Sequence, residues 1–114
     1  MIAVIFEVEP TDGNPAPYLH IAAGLIDELK TIDGFISVER FQSLSTPDKL
    51  LSLSFWRDED AVRRWRTLDS HRRAQEAGRG GVFANYRLRV AQVLRDYGMQ
   101  ARDEAPQDSR VRHG

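Results

Sequence analysis

The chain has 114 residues, 41% hydrophobic and 29% charged, with a formal net charge of −1 at pH 7. That is room for one domain with a modest core, and it excludes a protein that holds polyanions by bulk charge. With no cysteine, disulfides, thiolate metal sites and thiol nucleophiles are excluded too.

The opening "MIAVIFEVEP" has no basic lead, and no apolar run reaches the roughly 18–20 residues of a membrane span. A cytoplasmic protein with no membrane partner is therefore expected. From Ile2 to Glu9 the residues are β-branched or aromatic and stop at Pro10, which predicts a strand. "PTDGNPAP" is dense in turn formers and predicts a loop. Pro17 suits the first turn of a helix whose stripe is Tyr18, Ile21, Leu25, Leu29 and Ile32, with Gly34 as a left-handed stop.

"FISVERFQSL" predicts a second strand, with Phe35, Ser37, Glu39 and Phe41 on one side and Ile36, Val38, Arg40 and Gln42 on the other. After the turn "STPD", "KLLSLSFW" predicts a third strand, paired with the second as a hairpin. Asp58 is a candidate N-cap for a helix whose apolar stripe is Ala61, Val62, Trp65 and Leu68. Asp69-Ser70 suggest a break and a fresh cap, so that the second helix is split and its second half runs to about Ala77. Three glycines within 78–81 end it, and "ANYRLRVAQVLRDYG" predicts a fourth strand with Tyr86, Leu88, Val90 and Leu94 on one side.

The order is βαββαβ. It predicts an α+β, ferredoxin-like sandwich over residues 1–97, an antiparallel sheet with helices on one face. Residues 98–114 have almost nothing apolar to bury and are expected to form a disordered or loosely docked polar tail. The strands are apolar on both sides: Ala3 and Ile5 oppose Val4 and Phe6, and Leu51, Leu53 and Phe55 oppose Leu50 and Trp56. Helices cover one face only, so a second copy is expected to cover the other, giving an obligate homodimer.

"SLSFWRDEDAVRRWRTLDSHRRAQ" (52–75) contains six arginines, two tryptophans and a histidine. Glu59 with Arg63 and Asp60 with Arg64 are i, i+4 pairs, and Asp69 is in reach of Arg72 or Arg73, so the helices are partly self-neutralised. A nucleic-acid partner is therefore not expected.

With "KLLSLSFWRDEDAVRRWR", then "HRRAQ", then an Arg- and Val-rich strand, residues 2–97 resemble the antibiotic biosynthesis monooxygenase domain family. The resemblance implies a dimeric α+β barrel and a small-molecule monooxygenase acting on planar aromatic or polyketide-like compounds. A non-catalytic dimer that binds a hydrophobic metabolite is the alternative. Haem-degrading relatives place a histidine ten positions after a helical tryptophan. Trp65 matches the tryptophan, but the histidine position is Gln75 and a strand-one asparagine falls near Glu7, so haem is disfavoured. Cofactor-free oxygenases of the family place an asparagine four residues before the tryptophan; here that residue is Ala61. The implied chemistry uses no cofactor, because a stabilised substrate carbanion reacts with dioxygen directly.

His71 is the candidate acid–base, since only histidine titrates unperturbed near neutrality; a surface or capping role is the alternative. Trp65 is a core aromatic or a pocket wall that stacks on a planar ligand. Tyr86 and Asn85 open the fourth strand and would hydrogen-bond a phenolic or quinone oxygen, or else serve the loop edge. His20 flanks the first helix's stripe and is a further candidate to face the ligand. Glu7 interrupts an apolar strand, either as a base near the pocket or as a partner of Arg87 or Arg89. Arg72 is a candidate to hold an anionic or enolate-like substrate at the pocket mouth. No His, Asp and Glu grouping has metal-ligand spacing.

Overall fold

The computed structural model describes residues 1–114, apart from positions 69, 70 and 78, for which only secondary structure is given. The expected Asp69-Ser70 cap, and the reach of Asp69 to Arg72 or Arg73, lie outside the described residues. The elements are β1 (Ile2–Pro10), α1 (Ala16–Thr31), β2 (Phe35–Gln42), β3 (Leu50–Trp56), α2 (Glu59–Arg66), α3 (Asp69–Ala77), β4 (Phe83–Gln92) and α4 (Gln107–His113).

The four strands form one antiparallel sheet in the order β2-β3-β1-β4. That is the ferredoxin-like arrangement expected from the element order, with the second helix split as predicted. The sheet is open, with β2 and β4 as its edges, so this chain alone closes no barrel. No described helix is long and apolar enough to cross a membrane.

Register fixes what each face carries, because side chains alternate along a strand. One cross-strand row runs Arg40, Ser52, Phe6, Leu88 and the next runs Val38, Ser54, Val4, Val90. These rows face the helices. The opposite face carries Ala3, Ile5, Leu51, Leu53 and Phe55, bordered by Glu7, Glu39, Arg87 and Arg89.

The expected faces of β2 are corrected at its start. A register shift between Phe35 and Ser37 moves Phe35 to the helix side, where its ring meets Trp56 edge-on at 5.3 Å, and leaves Ile36 exposed. The core sits at this end of the sheet, from Ile2, Leu29, Trp56, Ala61 and Val62. Trp56 is fully buried, and its indole N–H donates to Ser54 Oγ at 2.9 Å.

Helix α1 buries Tyr18 and Leu29 of the predicted stripe, with Ala22 beside them; it ends at Thr31, and Gly34, with φ of +95°, makes the left-handed turn that follows. Asp58 caps α2, its carboxylate accepting from the Ala61 amide at 2.9 Å. The expected i, i+4 pairs on α2 are replaced by others. Asp60 takes Arg63 one position earlier, at 2.6 Å, and Arg64 donates to the Asp33 carbonyl at 2.8 Å.

Strand β4 ends at Gln92, so Leu94 lies beyond the sheet and is exposed. The polar segment after residue 97, expected to be disordered or loosely docked, contains α4. Arg102 gathers it by donating to the carbonyls of Gly98 and Gly114 and to Ser109 Oγ. Hydrogen bonds to this one guanidinium supplement the small apolar burial of the segment, that of Ala105.

Candidate functional site

Two of the four residues that β3 contributes to the helix side are serines. Ser52 and Ser54 sit where a sandwich core would carry Leu or Ile, and the space they leave is a cavity of about 220 Å³ between the sheet and α1, α2 and α3. Val4, Phe6, Val38 and Leu88 line its floor, Ile21, Leu25 and Leu29 its α1 wall, and Val62, Trp65 and Ala74 the far wall. An apolar cleft with a few convergent polar groups is what a small-molecule site requires.

Trp65, His71 and Tyr86 all line this cavity. The His71 ring stacks on Trp65 with centroids 4.6 Å apart and planes 23° apart. Its Nδ1 lies 3.1 Å from the Trp65 carbonyl oxygen. A carbonyl can only accept, so Nδ1 carries the hydrogen and Nε2 keeps its lone pair. Burial disfavours the imidazolium and pushes the His71 pKa below its ordinary 6.5. The result is a neutral imidazole at the cavity wall, with no partner for Nε2 among the described residues. Trp65 also stacks on Trp56 at 6.5 Å, which fixes it from the core side.

A second aromatic group closes the other end. Phe6, Tyr18, Phe83 and Tyr86 contact one another at centroid distances of 5.6–6.2 Å. The Tyr86 hydroxyl accepts from Arg79 Nη1 at 3.1 Å.

Four predicted site residues lie elsewhere. Glu7 is on the opposite sheet face, since it alternates with Phe6, and pairs with Arg89 at 2.9 Å and Lys49 at 3.5 Å. The Arg89 hydrogen bond, then Lys49, holds its carboxyl below the usual range, which makes it a poor base. His20 is two residues, or about 200°, around α1 from buried Tyr18 and is exposed. Arg72 is exposed and absent from the cavity lining, one position past His71 on α3. Asn85 is exposed, paired in register with Glu9, and absent from that lining. Ala61, at the position where relatives carry asparagine, is completely buried under Gly34, whereas Gln75 does reach the cavity.

Three cavity arginines escaped the sequence reading: Arg40 on the floor, and Arg66 and Arg79 on the helix side. The legible signal was the inverted alternation of "SLSF", serine inward and leucine outward, with Arg40 in phase with Val38. No carboxylate lines the cavity among the described residues.

The family model described as "Antibiotic biosynthesis monooxygenase" matches residues 1–77. Over 93 residues the chain is 55% identical to the jasmonate monooxygenase ABM of Pyricularia oryzae, covering 82% of this chain. It spans only 43% of that relative's length. Among solved structures, a Deinococcus radiodurans protein assigned to the antibiotic biosynthesis monooxygenases superposes with a TM-score of 0.75 at 13% identity, covering 86% of this chain and 97% of that one. A variant of SnoaB, a cofactor-independent oxygenase from Streptomyces nogalater, superposes with a TM-score of 0.71 at 15% identity, covering 83% and 94%. At such identities the superpositions speak for the fold; the sequence matches speak for descent. The chain belongs to the antibiotic biosynthesis monooxygenase family.

Proposed function

We propose that this chain is a small-molecule monooxygenase that binds a planar aromatic or polyketide-like compound between its sheet and helices. The reaction runs without a cofactor, in the cytoplasm, in a homodimer. The observation that carries the reading is His71: stacked on Trp65, held by one nitrogen and kept neutral by burial, it presents a base to an apolar cavity. The 55% identity to a relative named for monooxygenation of jasmonate supports the reaction class, and SnoaB shares the fold and is itself cofactor-independent.

The chemistry balances without an outside reductant. His71 Nε2 takes a proton from an acidic ring CH₂, and Trp65 stacks on the flat carbanion that results. The carbanion supplies electrons to dioxygen and a C–O bond forms. Loss of the second hydrogen and cleavage of the O–O bond then leave a ketone, with the second oxygen atom departing as water.

The test is oxygen uptake with an anthrone as the probe. Wild type is expected to consume one O₂ per ketone formed, and His71→Ala to lose on the order of 10²-fold or more in kcat with its melting temperature retained. Equal rates in the two proteins overturn the role of His71. The buried Ala61, where related oxygenases carry a polar partner, favours a second reading, in which the cavity binds a hydrophobic metabolite without turnover. Melting shifts with ligand and no oxygen uptake would select it.

A further inference from the structure

We propose that the cavity's ligand is an organic carboxylate and that Arg40 is the residue that receives the carboxylate group. The proposal rests on reading the cavity as the substrate site. It goes further in naming the ligand's charge and the residue that selects it.

Several arginines elsewhere are satisfied within the chain. Arg57 is bidentate to Asp33 at 3.1 Å, Arg63 reaches Asp60, Arg89 reaches Glu7, and Arg102 and Arg110 donate to backbone carbonyls. Arg40 differs. It is half-buried on the helix side of β2, and its Nε makes one long contact, 3.4 Å, to the Tyr18 hydroxyl. Its guanidinium carbon stands 6.0 Å from the Tyr18 ring centroid. No carboxylate is within ion-pair distance of it among the described residues. Arg40 shares the cavity lining with Phe6, Ile21 and Leu25, and a guanidinium partly withdrawn from water in such a setting favours an anion as its partner.

Geometry narrows the anion. With Nε turned to Tyr18, the two terminal nitrogens of the fork remain, and two parallel N–H donors fit the two oxygens of a carboxylate. Arg66 and Arg79, both exposed and both on the cavity lining, give the entrance the same sign. Among the described residues no acid lines the walls, so the charged side chains that do line the cleft all attract a negative charge. The aromatic groups then hold the rest of the molecule, with Trp65 and His71 at one end and Phe6 and Tyr86 at the other.

Tryptophan fluorescence of the full chain, titrated with 2-naphthoate and with 2-naphthamide, separates charge from shape. Wild type is expected to bind the carboxylate about ten- to a hundredfold more tightly than the amide. Arg40→Gln should abolish that preference, chiefly by weakening the carboxylate, and Arg40→Lys should restore part of it. Amide binding that persists in Arg40→Gln shows that the variant keeps its folded cavity. Equal affinity of wild type for the two probes overturns the proposal, as does no binding of naphthoate at millimolar concentration or a naphthoate preference that survives Arg40→Gln. Carboxylate binding without oxygen uptake would keep this proposal and remove the monooxygenase reading, so the two fail separately.

Discussion

His71 shows how far a single side chain is set by its neighbours. The Trp65 carbonyl takes the Nδ1 hydrogen, the Trp65 ring covers one face, and burial removes the water that an imidazolium needs. Its pKa is therefore below 6.5 when folded and ordinary when unfolded. As pH falls through the unfolded value, the unfolded chain binds a proton that the folded chain refuses, so stability drops, levelling off below the folded pKa. The urea midpoint is expected to decline from about pH 6.5 downward in wild type, and less in His71→Gln. Oxygen uptake, which needs the neutral ring, should keep its plateau to a lower pH than a free imidazole would allow. The sequence named His71, Trp65 and Tyr86 as candidates but left a capping, a core and a loop-edge role open beside them, because residue type alone does not say which side of a wall a ring lines. Arg40 was not among them, since β2 reads as an ordinary alternating strand until the register places Arg40 opposite Ser52 and beneath Tyr18.

At the scale of elements, the junction of α1, β2 and α2 holds the site's walls together. Gly34 turns the chain with a positive φ, its carbonyl accepts from the Arg57 amide at 2.7 Å, and Ala61 of α2 packs directly on it. A Cβ built on Gly34 would stand 2.7 Å from the Ala61 Cβ, which is completely buried and has no freedom to move aside. Gly34→Ala should thus cost at least about 1–3 kcal/mol of unfolding free energy, read by urea denaturation. The order and type of these elements were plain from periodicity and caps such as Asp58. Two departures came from local events that periodicity does not carry. A bulge re-aimed Phe35, and Arg102 supplied hydrogen bonds that a hydropathy reading of the tail does not weigh.

For the whole molecule, the sheet face away from the helices decides the assembly. Ile5, Leu51, Leu53 and Phe55 are only half-covered there, with Ile36 and Phe41 exposed at the edge. An apolar face of this breadth suits a second copy, packed sheet to sheet and ringed by the Glu7, Arg89 and Lys49 charges. Light scattering at micromolar concentration should give twice the 13.0 kDa chain mass, and Leu53→Glu should return it to a single chain. A wild-type mass of 13.0 kDa would leave that face without its proposed cover.

Strand β1 lies between β3 and β4, so the first of these four strands in chain order sits in the middle of the finished sheet. Its Ile2 waits for Trp56 on one side and for Gln92 on the other. Closing loops of that length before any reward arrives makes the native pairing a late event. Until β4 emerges, a nascent chain carries an unpaired edge with apolar side chains above and below, the form most prone to stick to its neighbours. Synthesis speed through β4 therefore bears on how long that edge stays open.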